Sequence, residues 1–245
     1  MKYMGSKRRI AKEILPIILK DRKEGQWYVE PFCGGCNTID KVSGLRIASD
    51  SNSYLISMWK KIVDEGWIPP DHIEEETWMD VKQNPEKYEE HFVAFVRFGA
   101  SFGADWNGGF ARNVRKDKPN ADILNRTTKS YSRQSKNNIM RQVPFLTGVK
   151  FMSCAYSELN IPTNSVIYCD PPYEGTTKYK DDFDHQKFWL WCERMAKSGH
   201  KVFVSEYNAP QKWGVVWEQE IRNGLNNRNI EYNKKPIEKL FVYNE

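Results

Sequence analysis

An α/β fold in nucleotide-binding order is what this sequence predicts, on three observations. Short apolar runs of strand length alternate with patterns of helical period. A two-glycine turn, Glu30-Pro31-Phe32-Cys33-Gly34-Gly35-Cys36-Asn37, follows the first of those runs, and an acid, Asp50, closes the second. Farther on, Val166-Ile167-Tyr168-Cys169 runs directly into Asp170-Pro171-Pro172-Tyr173.

Taken in order, Ile10, Ile14, Ile17 and Ile18 recur at helical spacing after Ser6, which predicts a first helix to about Lys20, bent or ended near Pro16. Trp27-Tyr28-Val29 reads as a buried strand and Leu45 to Ser49 as the next. Leu55, Met58, Trp59 and Ile62 then form an amphipathic face behind the candidate caps Ser51, Asn52 and Ser53. A helix from Asp71 and another beginning at Pro85, with Tyr88, Phe92, Phe95 and Val96 on one face, lead into the Gly-rich aromatic segment Phe98 to Asn113. Strand patterns return at Val149 to Met152, Val166 to Cys169, Lys201 to Ser205 and Lys239 to Tyr243, with a helix carrying Phe188, Cys192 and Met195 between the second and third. The expectation is one α/β domain over 1–65 and 147–245, interrupted by a mainly helical, basic insertion at 66–146.

At 245 residues with 13% aromatic and 40% hydrophobic residues, the chain can bury a substantial core and is no disordered tract. No apolar run nears the roughly 18 residues a membrane helix needs. Five cysteines without disulfide spacing fit a reducing compartment, so a cytoplasmic protein is expected. Between Arg112 and Arg141 stand nine basic residues against two acidic ones, a local +7 in a chain of formal charge +5. Such a stretch reads either as a phosphate-tracking surface or as a solvated loop. Interleaved Tyr131, Asn137 and Asn138 favour nucleic acid.

The chemistry concentrates in two places. Each proline of Asp170-Pro171-Pro172-Tyr173 fixes its own φ and extends the residue before it, so the carboxylate and the neighbouring carbonyls are held in one arrangement. Together they can accept the two N–H groups of a flat exocyclic amine while Tyr173 stacks on the ring that bears it. In the glycine turn, backbone can approach a ligand closely. Asp50 can accept both hydroxyls of a ribose, or serve as a helix cap. The turn is neither a phosphate loop nor a three-glycine dinucleotide fingerprint.

In combination, Lys2-Tyr3-Met4-Gly5-Ser6-Lys7, Glu30-Pro31-Phe32-Cys33-Gly34-Gly35, Asp50 and Asp170-Pro171-Pro172-Tyr173 resemble the Dam-like DNA adenine N6 methyltransferases, and their order matches that family's α class. The likeness continues through Asp105 to Phe110, Tyr156 to Leu159, Val204 to Tyr207 and Glu238 to Phe241. It implies a Rossmann-like methyltransferase sheet with an inserted DNA-recognition subdomain, S-adenosylmethionine as cofactor and double-stranded DNA as partner, with no membrane and no obligatory protein partner. By the same likeness, Tyr3 and Lys7 lie beside the methionyl part of the cofactor, and Glu30, Pro31, Phe32, Cys33, Gly34 and Gly35 form its floor. Asp50 holds the ribose, and Tyr156 flanks the cofactor adenine. Asp170 with the Pro171 carbonyl grips the target amine, Asp170 also borders the cofactor, Pro172 stiffens the corner, and Tyr173 stacks on a flipped base. Trp106, Asn107, Arg112 and Asn113, with Arg115, Lys116, Arg133 and Lys136 of the basic stretch, are the expected DNA contacts. Two departures stand out. Ala155 replaces an acid common in relatives, and Cys36 stands where glycine is common. Other readings are a methyltransferase acting on RNA adenine or a protein amide, and a DNA-binding protein with a decayed methyltransferase fold.

Overall fold

The computed structural model describes residues 1–112, 130–174, 183–220 and 237–244. Strands β1 (Tyr28–Glu30), β2 (Arg46–Asp50), β3 (Val149–Ser153), β4 (Val166–Cys169), β5 (Lys201–Glu206), β6 (Trp213–Glu220) and β7 (Ile237–Tyr243) make one seven-stranded sheet in the order β3-β2-β1-β4-β5-β7-β6. The first five pair in parallel, and β7 runs antiparallel to both its neighbours. This is a Rossmann-like α/β arrangement.

Alternation along the strands builds two cores. Tyr28, Ala48, Val166, Tyr168 and Phe203 face one layer, and Val29, Ile47, Ile167, Cys169, Val202 and Val204 face the other. Both faces are covered, which is why the central strands read as unbroken apolar runs rather than alternating ones. Against the first face lie α1 (Ala11–Ile18) and α2 (Ser53–Val63); the second is covered by α7 (His185–Lys197), through Phe188, Trp191 and Cys192. Asn52 caps α2 by accepting from Leu55 N at 3.1 Å.

Between β2 and β3 the chain forms α3 (Glu75–Gln83), α4 (Glu90–Ala94) with a π turn at Phe95–Gly99, α5 (Tyr131–Met140) and α6 (Val143–Leu146). Val81, Val93, Phe95 and Ile139 join Met58 and Trp59 of α2 in one continuous hydrophobic cluster, so the insertion shares its core with the sheet layer. The return of the insertion to the sheet is pinned by Arg46, whose guanidinium donates to Phe145 O at 2.6 Å and Thr147 O at 2.8 Å.

Several elements differ from expectation. The first helix is two pieces, a 3₁₀ turn at Lys7–Arg9 and then α1, and Pro16 lies inside α1 instead of ending it. Pro16 and Lys12 are both exposed, so water can satisfy the carbonyl that the missing N–H leaves. The helix expected from Asp71 starts at Glu75, after Pro69 and Pro70, and Pro85 opens only a 3₁₀ turn before α4. Strand β6 and helices α5 and α6 carry no clear periodic signal in the sequence.

Candidate active site

In the strand order the chain reverses its winding between β1 and β4, and the crevice at the carboxyl ends of such a pair is where open α/β sheets bind ligands. Each of the four central parallel strands delivers a carboxylate there. Asp50 ends β2, Glu30 ends β1, Asp170 follows β4 and Glu206 ends β5.

The glycine turn leaves β1 and is tied down from three directions. Gly34 N donates to Asp50 Oδ2 at 3.0 Å, Trp59 Nε1 donates to Gly34 O at 3.1 Å, and Gln142 Nε2 donates to Gly35 O at 3.0 Å and Cys36 O at 2.6 Å. Gly34 has φ +45°, which favours glycine, and a Cβ there would lie 2.6 Å from the Tyr3 ring, so the contact leaves no room for one unless the ring moves. Cys36 adopts φ +53° with a side chain, which explains why glycine suits that position, and its thiol is buried beside Cys33. Burial raises both thiols above their ordinary range, so they act as small packing groups. Trp59 is wholly buried, and Trp59→Phe keeps most of its packing while leaving the Gly34 carbonyl with a weak Cys36 thiol contact at 4.0 Å in place of the indole N–H. We expect a loss of about 1–2 kcal/mol in chemical denaturation, with the midpoint shifting and the slope unchanged.

Asp50 is not a simple cap. Its Oδ1 accepts from Asn52 N at 3.0 Å while Oδ2 serves Gly34, which leaves each oxygen with a second lone pair. Glu30 is buried, accepts from the Tyr28 hydroxyl at 2.8 Å, and forms no ion pair among the described residues. Burial pushes its carboxyl up to about 8, against the lowering effect of the Thr38 and Tyr28 hydrogen bonds.

At the Asp-Pro-Pro-Tyr corner, Lys7 Nζ lies 2.9 Å from Asp170 Oδ1 and 3.1 Å from Glu238 Oε1, and donates to Gly5 O at 3.1 Å. Burial works against the Lys7 ammonium, but the two carboxylates outweigh it and hold the charge. Tyr173 donates its hydroxyl to Glu238 Oε1 at 2.8 Å, carries Lys7 over its ring at 4.5 Å from the centroid, and meets Tyr207 edge-on at 4.8 Å. Glu206 accepts from Glu174 N at 3.2 Å and Tyr207 N at 2.7 Å, joining the loops after β4 and β5. Burial raises Asp170 to about 6, with Lys7 pulling down and Glu238 pushing up; burial likewise raises Glu206 to about 7.

An aromatic wall completes the crevice. Tyr156 packs on Phe32 at 5.4 Å, tilted by 31°, and is backed by Phe183, Phe188 and Trp191 at 5.9, 5.5 and 5.2 Å. The glycine turn, spare acceptors on Asp50, the buried Glu30 and this wall form a donor and acceptor set that fits a cationic nucleoside such as S-adenosylmethionine.

Residues 3–235 match the family described as D12 class N6 adenine-specific DNA methyltransferase. The chain belongs to that family. It is also similar to a crystal structure of SMU.472, provisionally described as a methyltransferase, complexed with SAH, at 12% identity and a TM-score of 0.38 over 99% of this chain. The chain spans about half the length of that protein, 54%.

Within this member of the family, the residues expected to meet DNA divide. Trp106 packs between Tyr54 and Phe98, each at 5.3 Å, under the Arg97 guanidinium at 5.4 Å. Asn107 is exposed, its N–H donating to Asp105 Oδ1 at 3.1 Å. Arg112 pairs with Glu75 through two hydrogen bonds, and Lys136 and Arg133 meet Asp71 at 3.0 and 3.8 Å. Asn113, Arg115 and Lys116 lie outside the described residues. Sequence reasoning missed Glu238 as a partner of Lys7, Gln142 as a clamp on the glycine turn, and Phe183 in the wall. A hollow of about 690 Å³, lined in part by Arg8, Lys41, Asn138 and Arg141, lies apart from the Asp170 crevice.

Proposed function

We propose that this protein transfers the methyl group of S-adenosylmethionine to N6 of an adenine extruded from double-stranded DNA. The observation that carries the reading is the placement of Asp170 and Tyr173 at the switch point, beside the glycine turn and the acceptors of Asp50. Bound there, the cofactor supplies a methyl group activated by its sulfonium. Gly34, Gly35 and Glu30 border its amino-acid end, Asp50 takes the ribose hydroxyls, and Phe32 and Tyr156 enclose the adenine. Pulling the target base from the duplex costs a few kcal/mol, which stacking on Tyr173 and hydrogen bonds at Asp170 help to offset. The N6 lone pair is delocalised into the ring. Asp170 and the Pro171 carbonyl accept its two hydrogens and so favour the pyramidal amine that can attack in line. Segment 66–146, which delivers Trp106, Asn107, Arg112, Arg133 and Lys136, is the proposed recognition region, with Asn113, Arg115 and Lys116 in its basic stretch.

Incubation with methyl-labelled cofactor and unmethylated duplex DNA, followed by digestion to nucleosides, tests this directly. Label is expected in N6-methyldeoxyadenosine. Unlabelled DNA, with label recovered only in protein or in RNA supplied in a parallel incubation, overturns the reading.

Glu30 gives a pH signature for cofactor binding. Its neutral form prevails below about 8, whereas a cationic ligand favours the carboxylate, so binding must release a proton. Affinity is expected to rise between pH 6 and 8 and then level off, with calorimetric heats that depend on the ionisation enthalpy of the buffer. Glu30→Gln should remove both the slope and the buffer dependence; their persistence in that variant would assign the proton elsewhere.

A further inference from the structure

Glu238 belongs to a motif of the resemblance whose role the reading above leaves open, yet it sits at the centre of the acidic corner. It is buried on β7, the antiparallel strand beside β5, with its side chain 6% exposed. One of its oxygens receives both the Lys7 ammonium, at 3.1 Å, and the Tyr173 hydroxyl, at 2.8 Å. Lys7 in turn reaches Asp170 at 2.9 Å, and Asp170 and Tyr173 flank the two prolines. Asp170, Lys7, Glu238 and Tyr173 therefore form a closed ring whose only member from outside the expected motifs' known duties is Glu238.

We propose that Glu238 is a positioning residue for methyl transfer: it shares the Lys7 ammonium with Asp170 and pins Tyr173 by its hydroxyl, thereby setting both the acceptor strength of Asp170 and the plane of the aromatic ring. The proposal rests on the methyl-transfer reading. A lysine ammonium has three N–H groups, and here all three are engaged, on Gly5 O, Asp170 and Glu238. Removing the charge of Glu238 leaves Asp170 to face the Lys7 ammonium without a second carboxylate sharing it. The carboxylate that must accept from an incoming amine is then more fully neutralised and held by a competing donor. Removing the acceptor altogether would also free a buried tyrosine hydroxyl, so the ring would lose its fixed orientation.

The groups facing Asp170 are Lys7 from the first turn, Glu30 on β1, Tyr168 on β4, Tyr173, Glu206 on β5, Tyr207 after it and Glu238 on β7. Of these, Glu238 is the carboxylate that shares Lys7, and its charge raises Asp170. Neutralising it must therefore move the Asp170 titration to lower pH, an effect that mere loss of packing would not produce.

The test compares wild type with Glu238→Gln, whose amide oxygen can still accept from Tyr173. Expected are a kcat at least about tenfold lower, a KM for DNA within about twofold, and an acid limb of the pH–rate profile displaced to lower pH. A wild-type kcat with an undisplaced limb overturns the proposal. If Glu238→Gln does not fold, Tyr173→Phe removes the anchored hydroxyl together with its hydrogen bond to Asp170, which lowers that carboxyl; a kcat several-fold lower with the acid limb displaced to higher pH supports the pinning role, and an unchanged kcat overturns it. Titration of the ¹³C-labelled Asp170 carboxyl in cofactor-free protein separates this proposal from the functional reading. A lower midpoint in Glu238→Gln supports the coupling and an unchanged one overturns it, whether or not the wild type methylates DNA.

Discussion

Asp170→Asn should lower methyl transfer by about 10³-fold or more while leaving the fold intact. The magnitude follows from what the substitution does at one atom. A preorganised acceptor aimed at charge that develops in the transition state is worth about 10²–10³ in rate, and an amide nitrogen in its place presents N–H groups to an amine that is itself a donor. Lys7 keeps Glu238 as a partner at 3.1 Å, so the variant does not strand a buried ammonium, and stability should change by no more than about 1–2 kcal/mol. Single-turnover rates with saturating cofactor and DNA measure the loss at the chemical step. The same residue sets the acid side of the profile. Asp170 titrates at about 6 because burial raises it against the pull of Lys7, and only the carboxylate can accept, so wild-type activity should fall below pH 6 by about tenfold per unit. Residual activity in Asp170→Asn should lack that limb. Activity within about tenfold of wild type would remove Asp170 from the reaction and the proposed function with it.

The central sheet was legible because its strands are buried on both faces. Val166 to Cys169 occurs as read, and the acids at Asp50 and Asp170 stand where the strands end. Edge strand β6 was not legible: Trp213–Glu220 exposes Val215, Val216 and most of its polar residues, so neither an apolar run nor a clean alternation marks it. The π turn after α4 and the split of the first helix depend on packing that no local pattern encodes. In the site, motifs gave residues but not partners. Lys7 and Glu238 are separated by almost the whole chain and meet only because β7 inserts beside β5. Partners of the basic stretch were hidden in the same way, since Arg112, Arg133 and Lys136 find Glu75 and Asp71 from elements that composition counts separately. Those pairs are largely exposed, and exposed pairs are worth only about 0–1 kcal/mol, so phosphates can still compete for the cations.

Asp50 should govern cofactor affinity more than any other residue, through two linked losses. Its carboxylate already holds Gly34 N and Asn52 N, each at 3.0 Å, and keeps a lone pair on each oxygen for a ribose diol. Asp50→Asn turns one oxygen into a donor that must face either the Gly34 or the Asn52 N–H, so the glycine turn is disturbed at the point where φ is +45° and the Tyr3 ring leaves no slack. Asp50→Ala removes every acceptor at once. Hydrogen bonds to a charged acceptor are worth about 1.5–3 kcal/mol each, and even one such loss weakens binding by about 10- to 100-fold. Calorimetric titration with S-adenosylhomocysteine should show a loss of at least about 10²-fold in both variants. Trp59→Phe disturbs the same turn from the carbonyl side without touching a ribose acceptor, and should cost stability yet weaken the nucleoside by less than about tenfold. Equal losses of affinity in Trp59→Phe and Asp50→Ala would make Asp50 a support for the turn alone, and the ribose contact would have to be sought elsewhere in the crevice.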